Sequence, residues 1–204
     1  MIEVTYGFFG EDEGQSLFLR EYLLKISVLY PVVFIQHPWY SKQFRGVNNK
    51  GVDNGFRAAW LAGFGQAQYK LGCLFIGRDL DSSTPTIWAE RVKGFQDKIS
   101  DVHRTDWMTR TIFMLPMQCI EHWLLALQRR RDGRPSNNTR GLEIILNDAV
   151  KKELYDEHAR RPSNQTKDEL VSELSAELDI IWLVDQSPSF SAFHAQVHRY
   201  ISSL

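Results

Sequence analysis

The sequence lacks the features that mark secreted, metal-finger and membrane-spanning proteins. It has only two cysteines, Cys73 and Cys119, each inside an apolar segment and without CxxC spacing. That usage argues against a disulfide framework or a zinc finger and predicts buried, reduced thiols. The N-terminal residues do not follow the signal-peptide pattern, and no apolar run approaches the ~18 residues needed to cross a bilayer. We therefore expect a soluble cytoplasmic protein with no membrane partner.

An excess of charge of either sign is also missing. The chain has 24 basic and 25 acidic residues, a formal net charge of −1. Binding to nucleic acid must therefore use a local patch rather than the overall charge. No Walker motif is present, so the chain is not itself a P-loop ATPase. Hydrophobic residues make up 43% of the sequence, a share typical of an ordered globular domain.

Apolar, β-rich segments alternate with helical patterns up to about residue 130. This alternation predicts an α/β fold: a Rossmann-like parallel sheet of about four strands, flanked by helices. We place this α/β domain at residues 1–130 and expect a helical C-terminal extension, residues 131–204, packed on or beside it. The predicted strands are 2–9, 32–36, 73–81 and 109–115, and the predicted helices are 14–30, 55–72, 86–99, 120–131, 142–160, 168–184 and 187–204.

Acidic residues gather where two predicted strands end. Glu11, Asp12 and Glu13 follow the first strand, and Asp79 and Asp81 close the third. In open α/β sheets functional groups collect at the carboxyl ends of strands, and strand residues two apart share a face. Neighbouring carboxylates repel unless one is protonated or a cation lies between them, and an all-oxygen set suits Mg²⁺ or Mn²⁺. The alternative is that these acids only cap the helices that follow.

The motifs "YGFFGEDEGQSLFL" and "CLFIGRDLDS" resemble the two acidic motifs of the Toprim domain. That domain is shared by topoisomerases, DnaG-type primases and overcoming-lysogenization-defect (OLD) nucleases. Its first motif is an apolar strand running into Glu-Gly and a helix; its second is an apolar strand running into Asp-x-Asp. The segments "FMLPMQCIEHWLLAL" and "SPSFSAFHAQVHRY" are similar to parts of small stand-alone bacterial Toprim-like proteins related to OLD nucleases. Genes for those proteins often lie near ATPase genes in phage-defence loci.

The resemblance implies a divalent-metal-dependent nuclease that uses Mg²⁺ or Mn²⁺. It makes Asp79 and Asp81 metal ligands, Glu11 a ligand or general base, and Glu121 a fourth acid. Two residues fit the Glu-Gly motif, since Glu13 precedes Gly14 while Glu11 directly follows the strand. We favour Glu11 and keep Glu13 as an alternative metal ligand. Glu121 has a second interpretation, as a first-turn partner of its helix dipole.

The resemblance also implies partners. An effector subunit of an anti-phage defence system would act on a nucleic acid, DNA or RNA including tRNA, together with a partner ATPase, and it could self-associate as a homo-oligomer. Four arginines close the fourth long helix and are candidates for contacts with a phosphate backbone, with stabilisation of the helix C-terminus as the alternative. They are Arg129, Arg130, Arg131 and Arg134.

Two other functions stay open at this stage. One is a catalytically silent Toprim-like subunit that docks an ATPase through its C-terminal helices. The other is a phosphohydrolase of small phosphorylated substrates. Four carboxylates on one sheet edge would favour the enzymes, whereas a salt bridge from Arg78 into the site would favour the silent subunit. The segment "ELDIIWLV" carries more apolar residues than one helix face can bury, so some of them should contact something beyond their own helix.

Overall fold

The sheet has four parallel strands: β1 (Ile2–Gly10), β2 (Val32–Gln36), β3 (Cys73–Gly77) and β4 (Thr111–Met114). Their order across the sheet is β2-β1-β3-β4. The structure is a computed structural model and describes residues 1–39, 46, 48–134, 139–155 and 165–204. Pairing runs from Ile2 opposite Val32 between β1 and β2, and ends with Gly10 opposite Gly77 between β1 and β3. The prediction of a parallel, Rossmann-like α/β sheet is confirmed.

The helices of the α/β part begin at side-chain caps. Asp12 caps α1 by accepting a hydrogen bond from the backbone N–H of Gln15 over 2.8 Å. Asn48 caps α2 in the same way through Gly51, so this helix begins at Asn49 rather than at residue 55. The short helix α4 was not predicted. The helices of this part are α1 (Glu13–Leu29), α2 (Asn49–Gly65), α3 (Ile87–Asp97), α4 (Thr105–Thr109) and α5 (Glu121–Arg131).

The C-terminal region is helical, as expected, but its helices are shorter than predicted. The predicted helix 142–160 is a 3-10 helix followed by α6, and its residues 156–160 lie outside the described part of the chain. The predicted helix 168–184 is divided in two, because Asp179 caps a new helix by accepting from Trp182 N over 3.0 Å. The elements are the 3-10 helix Thr139–Ile144, α6 (Asn147–Tyr155), α7 (Lys167–Ala176), α8 (Ile180–Gln186) and α9 (Pro188–Ile201).

One continuous hydrophobic core crosses the predicted boundary at residue 130. On one face of the sheet, Phe193 of α9 packs against Phe75 of β3 and Trp123 of α5, with ring centroids 6.4 and 6.1 Å apart. Gln196 of α9 also binds the β4 backbone, because its amide accepts from Phe113 N and donates to Phe113 O, each over 3.0 Å. The opposite face is covered by α2, α3 and α4, through Phe56, Trp60, Phe95 and Trp107.

No helix in the described ranges combines the length and the apolar character that a membrane span requires.

Candidate metal centre

Three carboxylates meet at the carboxyl edge of the sheet. Glu11 directly follows β1, Asp79 lies just beyond β3, and Glu121 begins the helix after β4. These strands are neighbours in the order β1-β3-β4, so their ends deliver side chains to one place. A cavity of about 450 Å³ opens there, lined by Glu11, Asp12, Asn48, Asn49, Lys50, Asp79, Asp81 and Lys151.

Glu11 and Asp79 are joined by hydrogen bonds. The backbone N–H of Asp79 donates to Glu11 Oε1 over 3.1 Å. The side-chain amide of Gln15 donates to both acids, to Glu11 Oε1 over 3.1 Å and to Asp79 Oδ1 over 2.8 Å. Asp79 Oδ1 also accepts from the backbone N–H of Ile120 over 3.2 Å. The first two acidic motifs are therefore one connected site.

Asp79, Cys119 and Glu121 form a buried group that can hold a metal ion. One ligand atom from each residue lies within 4.8 Å of the others. The hydroxyl of Tyr155 donates to Glu121 Oε1 over 3.4 Å, and Lys151 Nζ lies 3.8 Å from the same oxygen. Both of these residues belong to α6, so the C-terminal region supplies part of the site.

Asp81 stands at the mouth of the cavity in an unusual backbone conformation. Its φ of +49° lies in the left-handed region that non-glycine residues rarely adopt. Its two carboxylate oxygens accept from the side-chain amides of Asn49 on α2 and Asn147 on α6, the latter over 3.1 Å. Strand alternation, the basis for expecting Asp79 and Asp81 to point the same way, does not apply because β3 ends at Gly77. Both residues nevertheless line the same cavity.

The negative charge of the site exceeds the positive charge around it. Burial raises the pKa of Asp79 well above its usual value, and the nearby carboxylates of Glu11 and Glu121 raise it further. Burial also raises the pKa of Glu11, with Asp12 and Asp81 adding to the effect. A bound divalent cation would reverse these changes, because it favours the charged form of each acid.

Lys151 forms an ion pair with Glu121. Burial lowers the pKa of Lys151, but the attraction of the neighbouring acids, Glu121 foremost, exceeds that effect and raises it overall. The ammonium group is therefore held in its charged form beside the acids. The cavity is lined by two lysines, Lys50 and Lys151, and by four acids, Glu11, Asp12, Asp79 and Asp81, so negative charge is in excess.

Cys119 lies beside the acids without being suited to a hard cation. Burial raises the pKa of its thiol, and the charges of Glu121 and Asp79 raise it further, so the sulfur stays protonated. Both cysteines are free and buried, which confirms the expectation of reduced thiols. Sequence reasoning missed that Cys119 contacts the site. Its position two residues before Glu121 was the signal that could have found it.

Unpaired buried oxygen atoms also indicate a cation. Gln15 Oε1, Asn49 Oδ1, Glu121 Oε2 and Asn147 Oδ1 are buried and have no hydrogen-bond partner among the described residues. Each belongs to a side chain that lies in or next to the acidic cluster. A buried acceptor without a partner destabilises the folded state, and a cation or its bound water would satisfy it. These oxygen donors fit Mg²⁺ or Mn²⁺, which prefer carboxylate and carbonyl ligands.

Two predicted residues take other positions. Glu13 is in the first turn of α1 and lines a separate depression together with Arg20 and His37, so we leave it out of the site. Arg78 ion-pairs with Asp53 over 2.9 Å and donates to the backbone oxygen of Asp79. The guanidinium of Arg78 therefore pairs with Asp53 and a backbone oxygen. It does not form the salt bridge into the acidic site that would favour a silent subunit.

The four arginines at the end of α5 and just beyond it are paired with carboxylates and do not form a free basic patch. Their ion pairs connect α5 to the C-terminal helices, so this arrangement favours a structural role over the nucleic-acid contacts expected of them. Their charge is largely neutralised in the folded chain. The pairs are Arg129 with Glu153 at 2.7 Å, Arg130 with Asp179 at 2.6 Å, Arg131 with Glu173 at 2.7 Å, and Arg134 with Asp132 and Glu153 at 3.6 Å each.

Comparisons with protein-family models, with curated proteins and with solved structures found no match. The structure by itself therefore establishes a Rossmann-like α/β fold with a helical C-terminal region and a buried group able to hold a metal ion.

Proposed function

We propose that this protein is a divalent-metal-dependent nuclease of Toprim type that hydrolyses phosphodiester bonds with Mg²⁺ or Mn²⁺. The observation that carries the proposal is the meeting of Glu11, Asp79 and Glu121 at one sheet edge, where nearby positive charge does not balance them. Acids that crowd together in a cavity and raise the pKa of one of their number are a mark of functional sites.

The proposed site divides its work among the acids. Asp79 and Glu121 would hold the metal, with Asp81 at the cavity mouth as a further ligand. The bound metal would stabilise negative charge on the phosphoryl group and lower the pKa of a bound water. Glu11, which accepts a hydrogen bond from Asp79 N beside this group, would act as the general base that takes a proton from that water.

Two lysines give the cavity a preference for phosphate. Lys50 of α2 and Lys151 of α6 line it together with the acids. Their ammonium groups would bind the non-bridging oxygens of a phosphodiester while the acids hold the metal. This role takes the place of the one first expected for the α5 arginines.

The family resemblance extends the proposal to partners. It suggests an effector subunit of a bacterial anti-phage defence system that works with an ATPase. A nuclease with an accessible site needs restraint inside its host, and a partner protein would provide it.

A cleavage assay tests the proposal. The purified chain is incubated with plasmid DNA, single-stranded DNA, RNA and tRNA in the presence of Mg²⁺, Mn²⁺ or EDTA. We expect cleavage with Mg²⁺ or Mn²⁺, none with EDTA, and none by Asp79→Asn. Asp97→Asn is the matched control, because Asp97 is an exposed residue paired with Lys93 on α3. Cleavage that survives both EDTA and Asp79→Asn would refute the assignment.

A phosphohydrolase of small substrates is the second candidate. The cavity volume of about 450 Å³ falls within the range of ordinary small-molecule pockets and favours this alternative. Bis(p-nitrophenyl) phosphate, a diester, and p-nitrophenyl phosphate, a monoester, separate the two activities. Faster turnover of the monoester would favour the phosphohydrolase over the nuclease.

A further inference from the structure

Gln15 occupies an unusual place for a glutamine. It lies in the first turn of α1 and is fully buried. Its backbone N–H is held by Asp12 over 2.8 Å, which fixes this turn of the helix. Its side-chain Nε2 then reaches both Glu11 and Asp79, over 3.1 and 2.8 Å. One amide group therefore bridges two carboxylates that come from different strand ends.

The other end of the same amide is left unpaired. Gln15 Oε1 is buried and has no hydrogen-bond partner in the part of the chain that the structure describes. A Cβ atom placed on Gly77 would come within 2.5 Å of this oxygen, so the glycine at the end of β3 leaves the room that the amide needs.

The bridging geometry suits a metal site for an electrostatic reason. Two acids that share a site need hydrogen-bond donors to stay close, and the Gln15 amide supplies two without adding charge. A lysine there would neutralise the acids and compete with a cation for them. The amide holds Glu11 and Asp79 together while leaving their negative charge available.

We propose that Gln15 is a positioning residue that holds Glu11 and Asp79 in the arrangement that receives the divalent cation. The inference rests on the proposed metal-dependent function and assigns a role to a residue that the sequence analysis left without one. Residues that orient metal ligands typically contribute 10- to 100-fold to metal affinity, so we expect an effect of about that size on Mn²⁺ binding.

The test compares two buried glutamines. Gln15→Met removes the bridging amide and keeps a side chain of similar length. Gln128→Met is the matched control, because Gln128 is also buried, also has an unpaired Oε1 among the described residues, and lies two turns beyond Glu121 on α5. Mn²⁺ affinity is measured by the loss of the free-ion electron paramagnetic resonance signal. We expect binding about tenfold or more weaker in Gln15→Met and unchanged in Gln128→Met. Equal affinities in the two variants would overturn the proposal.

A lysine variant shows whether weaker Mn²⁺ binding in Gln15→Met is only a consequence of lost stability. Gln15→Lys supplies a charged donor to the same two acids, so in EDTA it should melt at a higher temperature than Gln15→Met. It should nevertheless bind Mn²⁺ more weakly than the native chain, because its ammonium competes with the ion. If the lysine and methionine variants lose stability equally, Gln15 is a packing residue and the proposal fails.

The metal-free protein separates this inference from the proposed function. If the native chain binds no Mn²⁺, the proposed function fails, and a double-mutant cycle between Gln15→Met and Asp79→Asn in EDTA then decides the bridging role. We expect the two substitutions to be coupled in the free energy of unfolding, since the second removes the charge that the amide holds. Additive effects would overturn the bridge itself.

Discussion

The backbone N–H of Asp79 donates to Glu11 Oε1 over 3.1 Å, across 68 positions of sequence. This hydrogen bond joins the residues that follow β1 and β3, whose last pair is Gly10 opposite Gly77. The acids meet only when these strands pair in that register. The candidate site is therefore a direct product of the parallel sheet.

Replacing Asp79 by Asn should stabilise the metal-free protein at neutral pH. Burial and the charges of Glu11 and Glu121 raise the pKa of Asp79, so the folded state binds this proton more tightly than the unfolded state. In EDTA its contribution to stability is present below about pH 4, the unfolded pKa, and is lost as the pH rises toward the raised folded value. If the folded and unfolded pKa differ by one, the unfolding free energy changes by about 1.4 kcal/mol.

Urea denaturation in EDTA, at several pH values between about pH 5 and pH 8, measures this effect. At the upper end of this pH range we expect Asp79→Asn to be more stable than the native chain. We also expect its free energy of unfolding to depend less steeply on pH. Asn keeps an oxygen that can accept from Ile120 N, so the hydrogen bond to the backbone is preserved. A variant less stable than the native chain at neutral pH would contradict this account.

Glu11→Gln should reduce metal-dependent cleavage far more than Glu13→Gln. Glu11 touches Asp79 and lines the cavity, whereas Glu13 lines a different depression. Loss of a general acid–base group typically costs about 10² to 10⁴ in rate, so the Glu11 variant should fall in that range. Both variants are compared in one assay with Mg²⁺ and with Mn²⁺. A larger loss in the Glu13 variant would make Glu13 the functional acid.

Cys119→Ser should leave Mg²⁺- or Mn²⁺-dependent activity intact. The thiol is kept protonated because burial and the charges of Glu121 and Asp79 raise its pKa, and hard cations prefer oxygen ligands. Zn²⁺, in contrast, binds a thiolate, so Zn²⁺ affinity should fall in the variant. Titration of the native chain and the variant with each metal checks the prediction. A matched loss of Mn²⁺ and Zn²⁺ binding would make Cys119 a ligand for both.

Arg129 should act through stability rather than through nucleic-acid binding. Its guanidinium forms two hydrogen bonds with Glu153, over 2.9 and 2.7 Å, and links α5 to α6. A double-mutant cycle of Arg129→Ala and Glu153→Ala should give a coupling of about 1 kcal/mol in unfolding free energy. Binding of a labelled oligonucleotide should weaken more in Lys50→Ala than in Arg129→Gln. If Arg129→Gln weakened binding more than Lys50→Ala did, the arginines would again be candidates for the nucleic-acid interface.

Trp182→Ala and Ile181→Ala should affect different properties: the first should reduce stability, and the second should reduce association with a partner. Arg130 lies 4.6 Å above the Trp182 ring, which also packs against the core, so the tryptophan variant should lose stability. Ile181 is 75% exposed and lines an apolar groove with Val28 and Leu29. Its variant should melt like the native chain. If the groove binds the partner proposed above, the variant should also associate less with a co-expressed candidate ATPase. Melting curves and mass in solution, alone and with that co-expressed protein, test both statements. Unchanged association in the Ile181 variant would remove the groove from any interface.

Local patterns alone identified much of the architecture. Alternating apolar segments predicted all four strands, because a buried parallel strand needs an apolar run that is independent of its partners. Asp12 was placed correctly among possible helix caps, since a cap depends on residues three positions away. The same proximity to a strand end put Glu11 in the site. These features involve neighbours in sequence, so the sequence by itself determined them.

Other features were decided by tertiary structure. The sequence of α5 was equally compatible with arginines that bind phosphate and with arginines that stabilise the helix end, until folding brought Glu153 to Arg129. The contribution of α6, through Lys151 and Tyr155 to Glu121, depends on how a C-terminal helix packs beside α5. The partners of long polar side chains are set by the packing of elements that are distant in sequence, which a local pattern does not record. For that reason the acids could be found in the sequence, while the groups that surround them could not.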